Sequence, residues 1–247
     1  MDGKEMSGMS QMYLTLDAAA KAHLNDLIFT YYEGKVASGP FNGMKLLPDM
    51  SWKDGNTGTK VLGCYEQELH VFLEEEIVRL NALDRPARIL DVGCSEGYYA
   101  VGMALRVKDA EIVAVDNAQS ALNMCNVAAI ENKVSFETRL DIPFDFQPDL
   151  VISDCEGYEE DFIDLEKFPG LKTSSLVVEC HDSSLRPNLS QNIAERLDDT
   201  HNIGFIFEGF RDPNQFQLLK GMHSTARWIA ISEGRPCQMH WMLARPK

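Results

Sequence analysis

Between residues 87 and 180 the chain alternates short apolar runs with helical stretches, and four of the runs close on an acid. ARILD ends at Asp91, EIVAVD at Asp116, DLVISD at Asp154 and SLVVE at Glu179. Aliphatic runs this short, without a polar residue at every second position, suit strands covered on both faces, and the intervening YYAVGMALRV and SALNMCNVAAIEN have the pattern of covering helices. The order predicts an α/β fold built on a mainly parallel sheet with helices on both faces. Parallel strands bring their carboxyl ends to one edge, so the acids should line that edge. VSFETRL reads as a further strand, leading to Leu140 and Asp141, while GFIFEGF and MHWMLAR have a different rhythm and predict a final antiparallel pair.

A seam is expected near Asp84-Arg85-Pro86, where a helical pattern gives way to the first strand. It divides residues 1–84, a helical N-terminal cap or lid, from residues 85–247. Helices are expected over 15–32 and 65–83. In the second of these, Leu69, Phe72, Leu73, Leu80 and Leu83 share a face, and the Glu74-Glu75-Glu76 run reads as solvated. The stretch 34–63, rich in Gly and Pro turn signals, is long for a passive connection and reads as a functional loop.

Composition narrows the partners. Among 247 residues, 23 Lys and Arg face 38 Asp and Glu, a formal charge of -15, and no basic run forms a groove for a phosphate backbone. Nucleic acid is therefore not an expected partner. No signal-peptide pattern and no apolar stretch of about 20 residues is present, so no membrane association is expected and the location should be cytoplasmic. The six cysteines are widely spaced and read as reduced, mostly buried thiols. The sequence leaves a homodimer open.

The segment Ile89-Leu90-Asp91-Val92-Gly93-Cys94-Ser95-Glu96-Gly97-Tyr98-Tyr99 leads a strand through a turn with glycines four apart into a helix. Gly93 lets the backbone approach a ligand, and Gly97 lets the helix pack close. The spacing is G-x-x-x-G, not the dinucleotide G-x-G-x-x-G, and Asp91 would repel a pyrophosphate while welcoming a cation. Asp116, twenty-five residues after Asp91, stands where a carboxylate accepts ribose hydroxyls, and Asp141 ends the third run, where it could face an adenine amino group.

D-V-G-C-S-E-G, V-A-V-D and R-L-D together resemble the motifs of class I S-adenosylmethionine-dependent methyltransferases. Asp154-Cys155-Glu156-Gly157-Tyr158-Glu159 resembles the D-x-E-G-x-E signature of the FkbM-like members, and Val178-Glu179-Cys180-His181-Asp182 resembles the segment at the end of their next strand. The likeness runs from about Gly63 to Pro246, with outlying pieces at Gly63–Glu66, Thr200–Ile203, Glu233–Pro236 and Met239–Trp241. It implies a Rossmann-like fold with a seven-stranded sheet and S-adenosyl-L-methionine as cofactor. It also implies methyl transfer, usually to an oxygen of a sugar or secondary-metabolite small molecule. Carried over, Gly93, Ser95 and Gly97 line the methionine part, Asp91 sits near its ammonium, Asp116 binds ribose, Asp141 faces adenine, and Asn117 is a further cofactor contact. Tyr65 and Glu66 are further expected contacts.

Methylating a hydroxyl requires the acceptor to lose a proton, so a base or a metal is needed beside it. The strands ending at Asp154 and Glu179 are expected beside the first, which brings Asp154, Glu156, His181 and Asp182 together. His181 is the expected base, because a carboxylate neighbour can poise an imidazole near neutral pH. Magnesium held by Asp154, Glu156 and Asp182 is the alternative, and the metal-free base is preferred. The plain readings stand alongside: Asp154 and Glu156 as helix caps, His181, His201 and His223 as structural histidines, Arg211 and Arg235 as surface pairs or acceptor grips. Of Trp52, Trp228 and Trp241, the last reads as core. Competing functions are carboxyl or amine methylation, a non-catalytic S-adenosylmethionine-binding protein, and, most weakly, a nicotinamide oxidoreductase.

Overall fold

The aliphatic runs become the centre of one sheet. In the computed structural model, which describes residues 3–48, 55–183, 185–235 and 237–247 (side chains from residue 18 onward), the strands are β1 (Arg88–Val92), β2 (Glu111–Val115), β3 (Glu137–Arg139), β4 (Leu150–Ser153), β5 (Ser175–Glu179), β6 (His201–Phe207) and β7 (His240–Pro246). They are arranged β3-β2-β1-β4-β5-β7-β6. The first five run parallel, and β7 lies antiparallel between β5 and β6. The four expected central strands are buried along almost their whole length. VSFETRL contributes only a three-residue edge strand, because its alternating polar residues leave half of it in solvent.

From β1 the chain steps outward to β2 and β3, then returns to β4 on the other side of β1. The connecting helices α4 (Tyr98–Arg106) and α5 (Gln119–Glu131) pack against each other, as do α6 (Glu159–Phe162) and α7 (Leu189–Leu197), and the right-handed rule for parallel crossovers puts the two pairs on opposite faces of the sheet. The α7 stripe Leu189, Ile193 and Leu197, spaced by four, packs into a core with Leu90, Val92, Val151, Leu176 and Val178. Strand order reverses between β1 and β4, which fixes the switch point of the fold there. Glu179 lies one strand further out: β5 pairs with β4 and not with β1, contrary to the expectation that both flank the first strand.

The chain divides into two compact units, residues 1–67 with 210–236 and residues 68–209 with 237–247. The first contains α1 (Gly3–Tyr32), α2 (Thr57–Leu62) and α8 (Ser224–Ile231), whose Leu24, Ile28, Val61, Leu62, Ala230 and Ile231 form its core. The stretch 34–63 is thus partly helical, and its Trp52 lies outside the described residues. The second unit holds the whole sheet. It also holds α3 (His70–Asn81), so the seam expected at residue 84 falls inside it.

Charge explains that placement. Glu76, 1% exposed, pairs with Arg79 at 2.7 Å and with Arg245 of β7 at 3.0 Å, and the Arg79 guanidinium also donates to the Asp149 carbonyl. The acidic run is therefore not all solvated: its third member ties the helix to the sheet. None of the six cysteines is in a disulfide; Cys155 is half-buried, Cys237 exposed and the rest buried. No described helix is long and apolar enough to cross a membrane. Because both arginine partners of Glu76 reach solvent, Glu76→Ala should cost about 2 kcal/mol, less than the 3–5 kcal/mol of a wholly buried pair, as read from urea unfolding midpoints.

Candidate active site at the carboxyl edge of the sheet

Five parallel strands deliver their carboxyl ends to one edge in the spatial order Asp141, Asp116, Gly93, Asp154, His181. At the centre, the Gly93 and Cys94 amides donate to the Val115 carbonyl, at 2.8 and 2.9 Å, and turn the chain sharply after β1. Gly93 has φ +82°, and a Cβ there would lie 1.7 Å from the Asp154 carbonyl oxygen. No side chain fits. Gly97, φ +89°, faces Cys125 of α5, where a Cβ would meet Sγ at 2.7 Å. Ser95 between them holds φ 51°, left-handed for a residue with a side chain.

That turn is pinned to the end of β2. The Ser95 amide donates to Asp116 Oδ2 at 3.1 Å and the Ala118 amide to Oδ1 at 2.8 Å. A carboxylate offers about four acceptor positions, so Asp116 keeps capacity for hydroxyl donors. Asp91 is 3% exposed, and its Oδ2 is buried without a hydrogen-bond partner. Burial pushes its carboxyl up to about 7, against a hydrogen bond from the Ala100 backbone, and the nearby Asp116 and Glu96 charges add to the rise. A buried acceptor of this kind favours a cationic partner. Asn117 and Asp141 are exposed at the ends of β2 and β3.

On the other side of the switch point His181 stands among carboxylates. Its Nδ1 lies 2.7 Å from Glu159 Oε1, and its Nε2 lies 3.6 Å from Asp154, 3.6 Å from Glu156 and 3.8 Å from Glu179. Burial alone would lower its pKa; the Glu159 hydrogen bond and the charges of Glu159, Glu179 and Glu156 outweigh that and raise it. Asp154, Glu156 and His181 each bring one donor atom within 4.8 Å of the others. Asp182 does not join them. Its carboxylate accepts from the Ser190 amide at 3.2 Å and faces His240 Nε2 at 3.4 Å, so the three-carboxylate set expected for magnesium is not brought together.

Glu156 is no helix cap either: its side chain is exposed, its φ is 56°, and α6 begins three residues later with no side-chain cap. Glu159 has no role expected from sequence. It stands as the last acid of D-x-E-G-x-E, but nothing in the spacing says that it turns back onto the histidine one strand away. His201 and His223 have the structural roles expected of them. His201 bridges Thr200 and the Ser174 carbonyl, and His223 accepts from the Thr225 amide at the start of α8.

Tyr65 and Glu66 belong to the first unit. There the Lys60 ammonium lies 4.7 Å over the Tyr65 ring, and Glu66 pairs with Arg235 at 2.9 Å. Arg211 pairs with Glu233 at 2.5 Å and donates to the Cys64 carbonyl. Both arginines are therefore interior ion partners, in place of the expected surface pairs or acceptor grips. Trp241 is buried as expected, and Trp228 is exposed beside Phe210.

Comparison with solved structures identifies the architecture. The bifunctional kinase-methyltransferase WbdD superposes with a TM-score of 0.50 at 20% identity, over 81% of this chain and 44% of that one. The chain shares the Rossmann-like α/β fold of that methyltransferase. A precorrin-6y C5,15-methyltransferase from Geobacter metallireducens GS-15 aligns over 71% of the chain with a TM-score of 0.48 and 12% identity. Among curated proteins, the O-antigen chain terminator bifunctional methyltransferase/kinase WbdD of Escherichia coli is 36% identical over 66 residues, 27% of this chain. The match spans 9% of that relative's length. No family model matches the chain.

The two glycines of the turn should separate in stability measurements. Gly93→Ala meets fixed backbone and should cost about 3 kcal/mol or more, whereas Gly97→Ala meets a movable Cys125 side chain and should cost less. Thermal unfolding of the two variants checks the order.

Proposed function

We propose that the chain is an S-adenosylmethionine-dependent methyltransferase of the FkbM-like kind, acting on a hydroxyl of a sugar or secondary-metabolite small molecule. One observation carries the reading: the turn suited to the cofactor touches, through Gly93 and the Asp154 carbonyl, the strand end whose carboxylates surround His181. Cofactor cradle and proton acceptor are thereby neighbours at the switch point, where ligands of open α/β sheets bind. The short match to a methyltransferase/kinase supports the same class.

The residues present fit the cofactor. The unpartnered Asp91 Oδ2 suits its ammonium, the bare Gly93 backbone allows close approach, and Asp116, with Asn117 beside it, has acceptor capacity for ribose. Asp141 is the proposed partner of the adenine amino group. When bound, S-adenosylmethionine supplies an electrophilic methyl group. The chain's own task is then to hold an acceptor hydroxyl in line and to remove its proton. His181 accepts that proton on its imidazole, and Asp154, Glu156 and Glu179 hold the imidazolium by charge.

Two measurements test this. At pH 6 Asp91 is largely protonated, and an ammonium beside it favours the carboxylate; S-adenosylmethionine binding should release a proton there and tighten as pH rises to about 7. Calorimetry in buffers of different ionisation enthalpy reads the proton count, and an Asp91→Asn variant should abolish it. For catalysis, only neutral His181 accepts a proton. The rate should therefore climb with pH through a midpoint above the ordinary histidine value of about 6.5, and His181→Ala should lose about 10²-fold or more. Methyl-labelled cofactor incubated with a metabolite extract supplies the assay and names the acceptor. Full activity after exhaustive chelation supports the metal-free base. Loss of activity on chelation of folded protein assigns the proton chemistry to an ion, and an unaffected His181→Ala in chelator-insensitive protein favours a carboxylate or amine acceptor over a hydroxyl.

A further inference from the structure

His181 has two ring nitrogens, and only one can receive the acceptor's proton. Three observations in the second unit decide which. Glu159 is fully buried, 0% exposed, at the start of α6, and its Oε1 is 2.7 Å from His181 Nδ1. That same oxygen accepts from the Cys155 amide at 3.3 Å and the Gly157 amide at 3.2 Å, two donors that only an oxygen acceptor satisfies. The other oxygen, Oε2, is buried with no hydrogen-bond partner. A carboxylate so enclosed is costly to charge, and the imidazole hydrogen-bonded to it supplies a cationic partner when protonated. Its carboxyl is nonetheless held low: burial raises it, and the hydrogen bond and charge of His181 and the backbone amides overcome that.

We propose that Glu159 is a positioning residue for the transfer chemistry. It holds neutral His181 as the Nδ1–H tautomer and so presents the Nε2 lone pair to the acceptor's proton. The logic is that of any carboxylate-oriented histidine: an ionised Glu159 only accepts hydrogen bonds, so Nδ1 must donate, and a neutral ring then has its lone pair on Nε2. Nε2 is the nitrogen that faces Asp154, Glu156 and Glu179, none of which can give it a proton while ionised. Their charges favour the imidazolium formed after transfer. The loop 154–157 takes part as well, because the amides that fix Glu159 Oε1 come from the segment carrying Asp154 and Glu156. Glu156 and Gly157 both sit at positive φ, 56° and 96°, which turns that backbone back toward α6. One buried carboxylate thereby sets the loop and the ring together.

The inference rests on the proposed role of His181 as base, but its decisive measurement does not need an acceptor. Full-length protein labelled with 15N-histidine, with His181 assigned by the missing signal in a His181→Gln variant, reports the tautomer from ring nitrogen shifts above its titration. The expected result is Nδ1 protonated and Nε2 bare. Glu159→Gln retains an oxygen that accepts from both amides and from Nδ1–H, so the tautomer should persist. Glu159→Leu removes the acceptor, and the two tautomers should mix while S-adenosylmethionine affinity stays within about twofold. In the labelled-methyl assay Glu159→Leu should lower kcat by about 10²-fold with Glu159→Gln between it and the unmodified protein, the scale for losing a correctly placed base. A neutral His181 protonated on Nε2 in the unmodified protein overturns the proposal, even if neither Glu159 variant folds. So does a Glu159→Leu protein that keeps the Nδ1–H form. Absence of any methyl product with the expected tautomer present overturns the methyltransferase reading and leaves the Glu159–His181 geometry standing.

Discussion

The approach of Gly93 to the Asp154 carbonyl is the contact on which the rest of this edge depends. A strand must stop and turn where its neighbour's backbone already occupies the space that a side chain would need, and glycine at positive φ is the one residue that allows both. Everything to one side of this contact is built from β1 and β2: the orphaned Asp91 oxygen, the left-handed Ser95, and the Asp116 carboxylate that accepts the Ser95 and Ala118 amides. Everything to the other side is built from β4 and β5. The two chemistries adjoin because the two backbones touch.

The sites differ in how they treat charge. On the β1 side a carboxyl is buried with one oxygen unsatisfied, so its ionisation is suppressed until something cationic arrives. On the β5 side a histidine is ringed by carboxylates, so its ionisation is promoted. Both environments raise the group's pKa and so favour its protonated form, which is neutral for the carboxyl and cationic for the imidazole. In both places burial opposes charge; the like charges of Asp116 and Glu96 reinforce it at Asp91, and the opposite charges of Glu159, Glu179 and Glu156 overcome it at His181.

The order of acids at strand ends is legible from sequence because two constraints agree there: buried parallel strands are aliphatic runs, and their carboxyl ends share an edge. Asp91, Asp116, Asp154 and Glu179 are placed by that alone. Side chains whose partners come from another element are not legible in this way. Glu76 looks solvated in a run of three acids, and only the return of β7 with Arg245 makes it interior. Asp182 sits beside His181 in sequence, yet its neighbours are Ser190 and His240, so adjacency along the chain misplaces it. Glu159 lies twenty-two residues before His181 and on a different strand connection, and no periodicity links them. The seam at residue 84 marks a change of local pattern, whereas the compact units are set by long-range packing of α3.

The strand β7 enters the sheet between β5 and β6, after the chain has left the sheet to contribute residues 210–236 to the other unit. During synthesis, β5 and β6 therefore exist for a time with facing edges that nothing has yet paired, and α1 and α2 wait for α8 over the same interval. Neither unit can be finished before the other has begun. Open strand edges invite association with other chains, so the chain's path leaves such edges in place until residues 240–246 pair with both strands. The interleaved path also works as a clasp: once Met242 and Ala244 are seated in the core beside Val178, the excursion is anchored at both ends.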